Sequence, residues 1–329
     1  MDERSILVTG AAGFIGSHVC ERLLRDGHAV VGVDNFDPFY AEREKRRTLA
    51  EIEASAAKFG ASSRWRFEAR DITDAGGLGA VVRAHRVGGV IHLAAKAGVR
   101  PSIQDPAGYA HANVTGTSVV LEAARAGGCA RVVVASSSSV YGNQTKTPFA
   151  EDDPVDRPIS PYAATKRACE LLGFTHHHLT GMPTAMLRFF TVYGPRQRPD
   201  LAIRSFMSRI SRGEHIRMFG DGTTSRDYTF IDDIVSGVVS AYGRVDRFGY
   251  RVWNLGGSSP VSLSAMIESI GRVVGKRPVV EPGPAQPGDV ERTWADLSRS
   301  RGELGYEPAT AFEEGLARQW AWARSVGEV

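Results

Sequence analysis

The chain has 329 residues, is 42% hydrophobic and 23% charged, and carries a formal net charge of +3. That composition describes an ordinary globular enzyme built as one large domain or two intimate ones. The charge is too small and too evenly spread for nucleic acid but suits an anionic small molecule, and no apolar run reaches membrane-spanning length.

The first short apolar run, Ser5–Thr9, reads as a buried strand. It leads into Gly10-Ala11-Ala12-Gly13-Phe14-Ile15-Gly16 and then an amphipathic stretch ending at Asp26-Gly27. Strand, glycine-rich turn and helix in that order form the context of a dinucleotide site. The glycines admit backbone to a pyrophosphate, and the helix start supplies N–H groups and a positive dipole end. A second strand, Ala29–Val33, ends in Asp34-Asn35. An acidic residue about 20 positions past the turn suits a ribose 2′-hydroxyl and repels a 2′-phosphate, favouring NAD over NADP.

Phe36–Lys58 reads as a charged, solvated helical insertion without chemistry. Asp71-Ile72, after the strand Trp65–Ala69, is expected at the adenine edge. Ala94-Ala95-Lys96, after the strand Val90–Leu93, is expected along the ribose and phosphates. Helical stretches near Ala110–Ala126 and Tyr162–Leu179 have apolar faces that fit core packing and a subunit contact equally well. The alternation of strands and helices through about Arg188 predicts an α/β fold with a doubly wound parallel sheet. After Tyr193-Gly194-Pro195 it breaks into Gly/Pro-punctuated pieces, including Phe219–Thr223 and Pro282–Gly288, which suggests a smaller C-terminal region. Phe230–Tyr242 again reads as a long helix, so the two regions interleave.

The chemistry concentrates in the serine run Ser136–Ser139 and in Tyr162-Ala163-Ala164-Thr165-Lys166. Residues i and i+4 share a helical face, so Tyr162 and Lys166 point the same way. An ammonium beside a phenol stabilises its anion, which can then act as a base. A hydroxyl from the serine run can orient the substrate oxygen that loses its proton. Cys20, Cys129 and Cys169 are scattered, and the start MDERSILVTG lacks a secretory signal, so a reducing cytoplasm is expected. His176-His177-His178 has no convincing partner spacing, and no metal is expected.

These blocks resemble the extended short-chain dehydrogenase/reductase superfamily, in particular its nucleotide-sugar epimerases and dehydratases. The likeness covers essentially the whole chain and includes GAAGFIGSH at Gly10–His18, HLAAKAGVRPS at His92–Ser102 and ASSSSVYG at Ala135–Gly142. It continues through SPYAATK at Ser160–Lys166, RFFTVYGPRQRPDLA at Arg188–Ala202, RDYTFIDD at Arg226–Asp233 and QPGDVERTWAD at Gln286–Asp296. The G-x-x-G-x-x-G spacing is typical of short-chain dehydrogenases.

The resemblance implies a Rossmann-type NAD-binding domain over residues 1–190, also receiving about 229–255. Residues 191–228 and 256–329 would form a smaller mixed α/β domain that binds a nucleotide sugar. It implies a retained NAD, held by Gly10, Gly13, Phe14, Ile15, Gly16, Asp34, Asn35, Asp71, Ile72, Leu93, Ala94, Ala95, Lys96, Tyr162 and Lys166. It also implies a homodimer.

Ser137, Tyr162 and Lys166 match the family's catalytic residues. Related 4,6-dehydratases carry an Asp-Glu pair in the serine segment, and related UDP-glucuronate decarboxylases carry a glutamate there. Ser138 and Ser139 hold those places here and cannot titrate in the needed range. That leaves oxidation and re-reduction at one carbon, an epimerisation, which the resemblance places at C4 of a UDP-sugar. Arg226 matches a diphosphate-binding arginine, Asp289 is a candidate ribose contact, and Phe219 borders the uracil. Arg100, Ser138, Ser139, Thr191 and Arg198 are candidates for the sugar, Arg198 because its planar fork suits a carboxylate. UDP-glucuronate is favoured over UDP-glucose/UDP-galactose, both remaining open, and a non-catalytic NAD-sensing protein is the distant third reading.

Overall fold

The computed structural model describes residues 4–284 and 290–329. Its strands are β1 (Ser5–Thr9), β2 (Val30–Asp34), β3 (Trp65–Ala69), β4 (Val87–His92), β5 (Val132–Ser137), β6 (Thr184–Phe189), β7 (Thr191–Tyr193), β8 (Ile216–Phe219), β9 (Ser225–Phe230), β10 (Tyr250–Leu255), β11 (Pro260–Ser262) and β12 (Val280–Gly283). Seven of them form a sheet in the order β10-β6-β5-β4-β1-β2-β3. Pairs β1–β2, β1–β4, β2–β3 and β4–β5 run parallel. Winding proceeds outward from β1 through β2 to β3, then returns to the other side of β1 with β4. The order therefore reverses between β1 and β4, where Thr9 pairs with His92, and ligands of such sheets bind beyond the carboxyl ends at that point.

The inner strands read as continuous apolar runs because both faces are covered. Leu7, Val31, Val33, Val90, Val132 and Val134 share one core with Leu78, Val82, Val120, Leu121 and Cys169 from flanking helices. Gly32 of β2 is required by packing. A Cβ there would stand 2.4 Å from Trp65 Cη2 and 2.8 Å from Ala11 Cβ, so the indole of β3 fills the space a side chain would occupy.

Two compact units divide the described residues. The first comprises Met1–Gly142, Pro154–Arg188 and Val235–Trp253; the second comprises Asn143–Asp153, Phe189–Ile234 and Asn254–Val329. In the second, β9 pairs antiparallel with β11 and parallel with β7, while β8 and β12 form a separate parallel pair. Asn143–Asp153 was expected within the first domain but belongs to the second unit. Phe149 N–H donates to Trp294 O at 2.7 Å, Asn254 Nδ2 donates to Phe149 O at 2.8 Å, and Asn254 N–H donates to Glu151 Oε1 at 2.8 Å. This segment has no hydrophobic period, so nothing local in the sequence marks where its backbone bonds go.

Among the described residues no helix is long and apolar enough to cross a membrane. The helix Pro161–Thr180 has sharp ends. Ser160 Oγ accepts from Ala163 N–H at 3.1 Å, Pro161 occupies the first turn, and Gly181 closes it at φ 72°. The helical stretch expected near Ala110–Ala126 instead contains a π-turn at His111–Thr115 before the α-helix Gly116–Ala126.

Gly32→Ala is expected to lower stability by about 1–3 kcal/mol through overpacking. Trp65→Phe in the same chain should restore part of the loss, because the two sites share one space. Thermal unfolding of the single and double variants checks this; simple additivity would show that the indole is not what excludes a Cβ.

Candidate functional site

The glycine turn leaves β1 with Gly10 at φ 71°, a conformation that favours glycine. A Cβ on Gly10 would lie 2.9 Å from Ala94 N, and one on Gly16 would lie 2.1 Å from Gly10 O. The chain therefore approaches itself through backbone alone. Gly13 N–H donates to Gly10 O at 3.0 Å, and the helix Phe14–Arg25 begins with no side-chain cap. The first-turn N–H groups of such a helix have no partner four residues back, and an uncapped helix start of this kind is suited to a pyrophosphate.

At the end of β2, Asp34 is buried yet doubly held. Its Oδ2 accepts from Ala12 N–H at 3.2 Å and its Oδ1 from Phe36 N–H at 2.9 Å, with Lys45 Nζ at 3.8 Å. Burial pushes the Asp34 carboxyl above its usual range, opposed by Lys45 and the two N–H donors. Lys45 comes from the segment expected to carry no chemistry. It is buried, with Nζ donating to Asp37 O at 2.9 Å. Its charge within a highly charged helix gave no hint that one lysine turns inward.

Asn35 Nδ2 donates to Asp71 Oδ2 at 2.7 Å, joining the tips of β2 and β3. Burial acts to raise the Asp71 carboxyl, but bonds from Thr73 and Asn35 outweigh it and hold the group below the ordinary range. Ile72 is buried beside Gly116, where a Cβ would stand 2.5 Å from Ile72 Cδ1. Thr9 Oγ1 accepts from Leu93 N–H and Ala94 N–H, both at 3.2 Å, fixing the exit of β4 beside the glycine turn. Beneath it, His92 Nδ1 lies 2.7 Å from Thr9 Oγ1 and Nε2 lies 3.2 Å from Thr117 Oγ1. Burial, then the charge of Lys166, pushes His92 down to about 3, so it is neutral around pH 7.

Ala95 and Lys96 continue along this edge. Asn113, on the π-turn, accepts from Lys96 N–H through Oδ1 at 2.8 Å, and its Nδ2 donates to Lys96 O and to Thr165 Oγ1, both at 3.0 Å. It ties the Lys96 loop to the Tyr162 helix. Sequence reasoning missed it, although a polar residue on the inward face of an otherwise apolar helix was the available signal. The Lys96 ammonium reaches Asp105 at 2.9 Å, and Arg100 lies exposed on the short helix Val99–Gln104.

The serine run ends β5. Ser137 Oγ accepts from Ser139 N–H at 3.1 Å and from Ser139 Oγ at 2.9 Å, opening the short 3₁₀ turn Ser138–Tyr141. The helix Pro161–Thr180 packs on β5 and on this turn. Tyr162 stands edge-to-face with Tyr109 at 6.2 Å, and buried Lys166 donates from Nζ to Ala135 O at 2.8 Å. One of three ammonium donors is used there, leaving the others for an anion or hydroxyls.

In the second unit, Thr191 opens β7 and pairs with Tyr228, while Arg226 lies on β9 with Nη1 donating to Ser225 O at 3.0 Å. Phe219 ends β8 under the Arg217 guanidinium, 5.5 Å from the ring centre. Arg198 was expected to meet a sugar carboxylate, and here its fork meets Asp200. Nε donates to Oδ1 at 3.0 Å and Nη2 to Oδ2 at 2.7 Å. Asp289 lies outside the described residues. Asp227, which the sequence did not single out, accepts from Gly257, Ser258 and Ala295 N–H groups at 2.6–3.0 Å and clamps that loop cluster next to Arg226.

Residues 7–319 match the family described as GDP-mannose 4,6 dehydratase. The chain is 43% identical to a UDP-glucuronate 4-epimerase of Thermodesulfobacterium geofontis, over 97% of this chain and 95% of that one. Among solved structures it resembles a Bacillus cereus UDP-glucuronic acid 4-epimerase in complex with UDP-glucuronic acid and NAD. That match has 34% identity, TM-score 0.88 and coverage of 98% and 99% of the two chains. A UDP-glucose 4-epimerase from Thermotoga maritima with UDP-glucose matches with 31% identity, TM-score 0.86 and the same coverage.

Gly16→Ala places a methyl against backbone that cannot yield cheaply, and the variant is expected to lose bound dinucleotide. Extraction of nucleotide from the purified protein, quantified against the unsubstituted chain, checks this; full NAD content in a folded variant would remove the glycine turn from the binding site.

Proposed function

Because the chain belongs to the GDP-mannose 4,6-dehydratase family of extended short-chain dehydrogenases/reductases, we propose that it is an NAD-dependent UDP-glucuronate 4-epimerase. The observation that carries the reading is a hydroxyl-only turn, Ser137–Ser139, packed on the helix that bears Tyr162 and Lys166. Elimination across C5–C6 calls for an added acid and base, and this turn supplies neither. Relatives that act on UDP-glucuronate, at up to 43% identity over nearly the whole chain, support the substrate class.

The turn at Gly10, Gly13, Phe14, Ile15 and Gly16 would take a dinucleotide pyrophosphate on its backbone, its glycines set so close to neighbouring main chain that no Cβ fits. Asp34 and Asn35 would take the adenosine ribose, Asp71 and Ile72 the adenine edge, and Leu93–Lys96 the middle of the molecule. NAD, when bound, supplies a hydride acceptor that can later give the hydride back at sugar C4. Tyr162 removes the proton from the 4-hydroxyl, and Ser137 orients that oxygen by hydrogen bonding. Lys166, fixed on Ala135 O, would offer its remaining N–H donors to the nicotinamide ribose. The sugar turns over as a 4-ketone so that the other face of C4 is reduced, and Tyr162 returns the proton to the same C4 oxygen, leaving C4 inverted.

A uronate 4-ketone is a β-keto acid and loses carbon dioxide when its carboxylate aligns with the carbonyl. Ser138, Ser139, Thr191 and Arg198 would hold the carboxylate out of that alignment, with Arg226 and Asp289 on the diphosphate and ribose and Phe219 beside the base. Three buried, scattered cysteines suit a reducing cytoplasm. Leu171, Phe174 and Leu179 on the helix Pro161–Thr180 are 52%, 52% and 75% exposed, which supports pairing of that helix in a homodimer.

Purified protein incubated with UDP-glucuronate and no added NAD should form UDP-galacturonate, followed by NMR, with little response to UDP-glucose. Conversion of UDP-glucose alone would favour the neutral-hexose reading. Tyr162→Phe should retain NAD while losing about 10²- to 10⁴-fold in kcat. Arg198→His should raise the pentose by-product relative to the epimer; an unchanged product ratio would take Arg198 out of carboxylate restraint.

A further inference from the structure

Glu170 sits one helical turn beyond Lys166 and two beyond Tyr162, and it is fully buried. Ser136 Oγ and Arg188 Nε donate to its Oε1 at 2.7 and 2.8 Å. Arg188 Nη2 and Arg167 Nη1 donate to its Oε2 at 2.9 and 3.0 Å. Arg188 also donates from Nη1 to Tyr141 OH at 3.0 Å and lies over that ring, 4.8 Å from its centre. Tyr250 OH donates to the backbone carbonyl of Glu170 at 2.9 Å, fixing the helix at the same point.

The two tethered hydroxyls flank one short segment. Ser136 immediately precedes Ser137, and Tyr141 is the last residue of the 3₁₀ turn that follows. A single 3₁₀ turn is weakly self-supporting, and its next residue, Gly142, leaves at φ 62°. A buried ion pair is poor evidence for stability, because well-packed apolar groups of similar size often do as well. What a fork-to-fork pair gives is direction.

We infer that Glu170 is a positioning residue, holding the entry and exit of the Ser138–Tyr141 turn against the helix that carries Tyr162 and Lys166. Ser136 tethers the entry of the turn directly, and Arg188 tethers its exit through Tyr141. This rests on the reading in which Ser137 and Tyr162 address the same sugar oxygen. Their separation is then set by Glu170 rather than by the turn itself. Arg167, partly exposed, completes the carboxylate's set of donors without reaching the turn.

Ser136→Ala and Tyr141→Phe each remove one tether while leaving the Arg188–Glu170 pair in place. Each is expected to lower kcat about 5- to 30-fold, the scale of a modest loss of reactive alignment. KM for UDP-glucuronate, bound NAD and the pH dependence of kcat should stay as in the unsubstituted enzyme. In both variants, hydrogen exchange at the Ser139, Val140 and Gly142 amides should quicken, while amides within the helix Pro161–Thr180 stay protected. Unchanged kcat, a loss that merely tracks lost NAD or lost fold, or unchanged exchange in the turn would each overturn the inference. If the unsubstituted protein epimerises no UDP-sugar, the functional reading fails by itself, and the exchange measurement still decides whether the tethers hold the turn.

Discussion

A lysine ammonium held inside the protein by one backbone carbonyl organises this molecule. Lys166 is 5% exposed, and its Nζ donates to Ala135 O at 2.8 Å. Burying a charge without compensation is costly, so the surroundings must favour negative or lone-pair-rich groups near it. One bond ties the helix Pro161–Thr180 to β5, and two of its three ammonium donors remain for a bound group. The same charge, added to burial, keeps His92 neutral, so a second cation does not form under the site. His92 can then link Thr9 to Thr117 as a neutral spacer, and Thr9 in turn fixes the loop after β4.

The family's name points to dehydration, but the turn beside Lys166 is made of serines. Hydroxyl groups can orient and restrain a sugar, yet they cannot exchange protons with carbon-bound positions near pH 7. A site with one base and several neutral donors is suited to oxidise a carbinol and reduce it again. Under the proposed function, reaction type then rests on the two side chains at Ser138 and Ser139.

The parallel sheet was legible because its strands are short apolar runs separated by helical periods, and the glycine turn because its spacing admits no side chains. Ser137, Tyr162 and Lys166 were legible as motif positions, and the structure brings the serine turn and the Tyr162 helix together. Long-range pairing was not legible. Glu170 and Arg188 look like surface charges in sequence, and only the fold brings them together across 18 residues. Lys45 hides in a run of charges, Asn113 in an apparent helix, and Asp227 in a strand whose partners are backbone amides more than 29 residues away. The segment Asn143–Asp153 has too little pattern to announce which unit it joins.

The carboxylate question comes down to how Arg198 is engaged. Its fork is occupied by Asp200, two residues on, with side chains 16% and 42% exposed. Only the Asp200 side of the pair is well exposed to water, so under the proposed function it is the partner that yields to a sugar acid. The two bonds to Asp200 limit the rotamers of the guanidinium, so under the proposed function less ordering entropy is lost when a uronate replaces the aspartate. Under the proposed function the aspartate therefore acts as a stand-in for the substrate's acid, and a neutral hexose, with no carboxylate to offer, would leave the pair as it is.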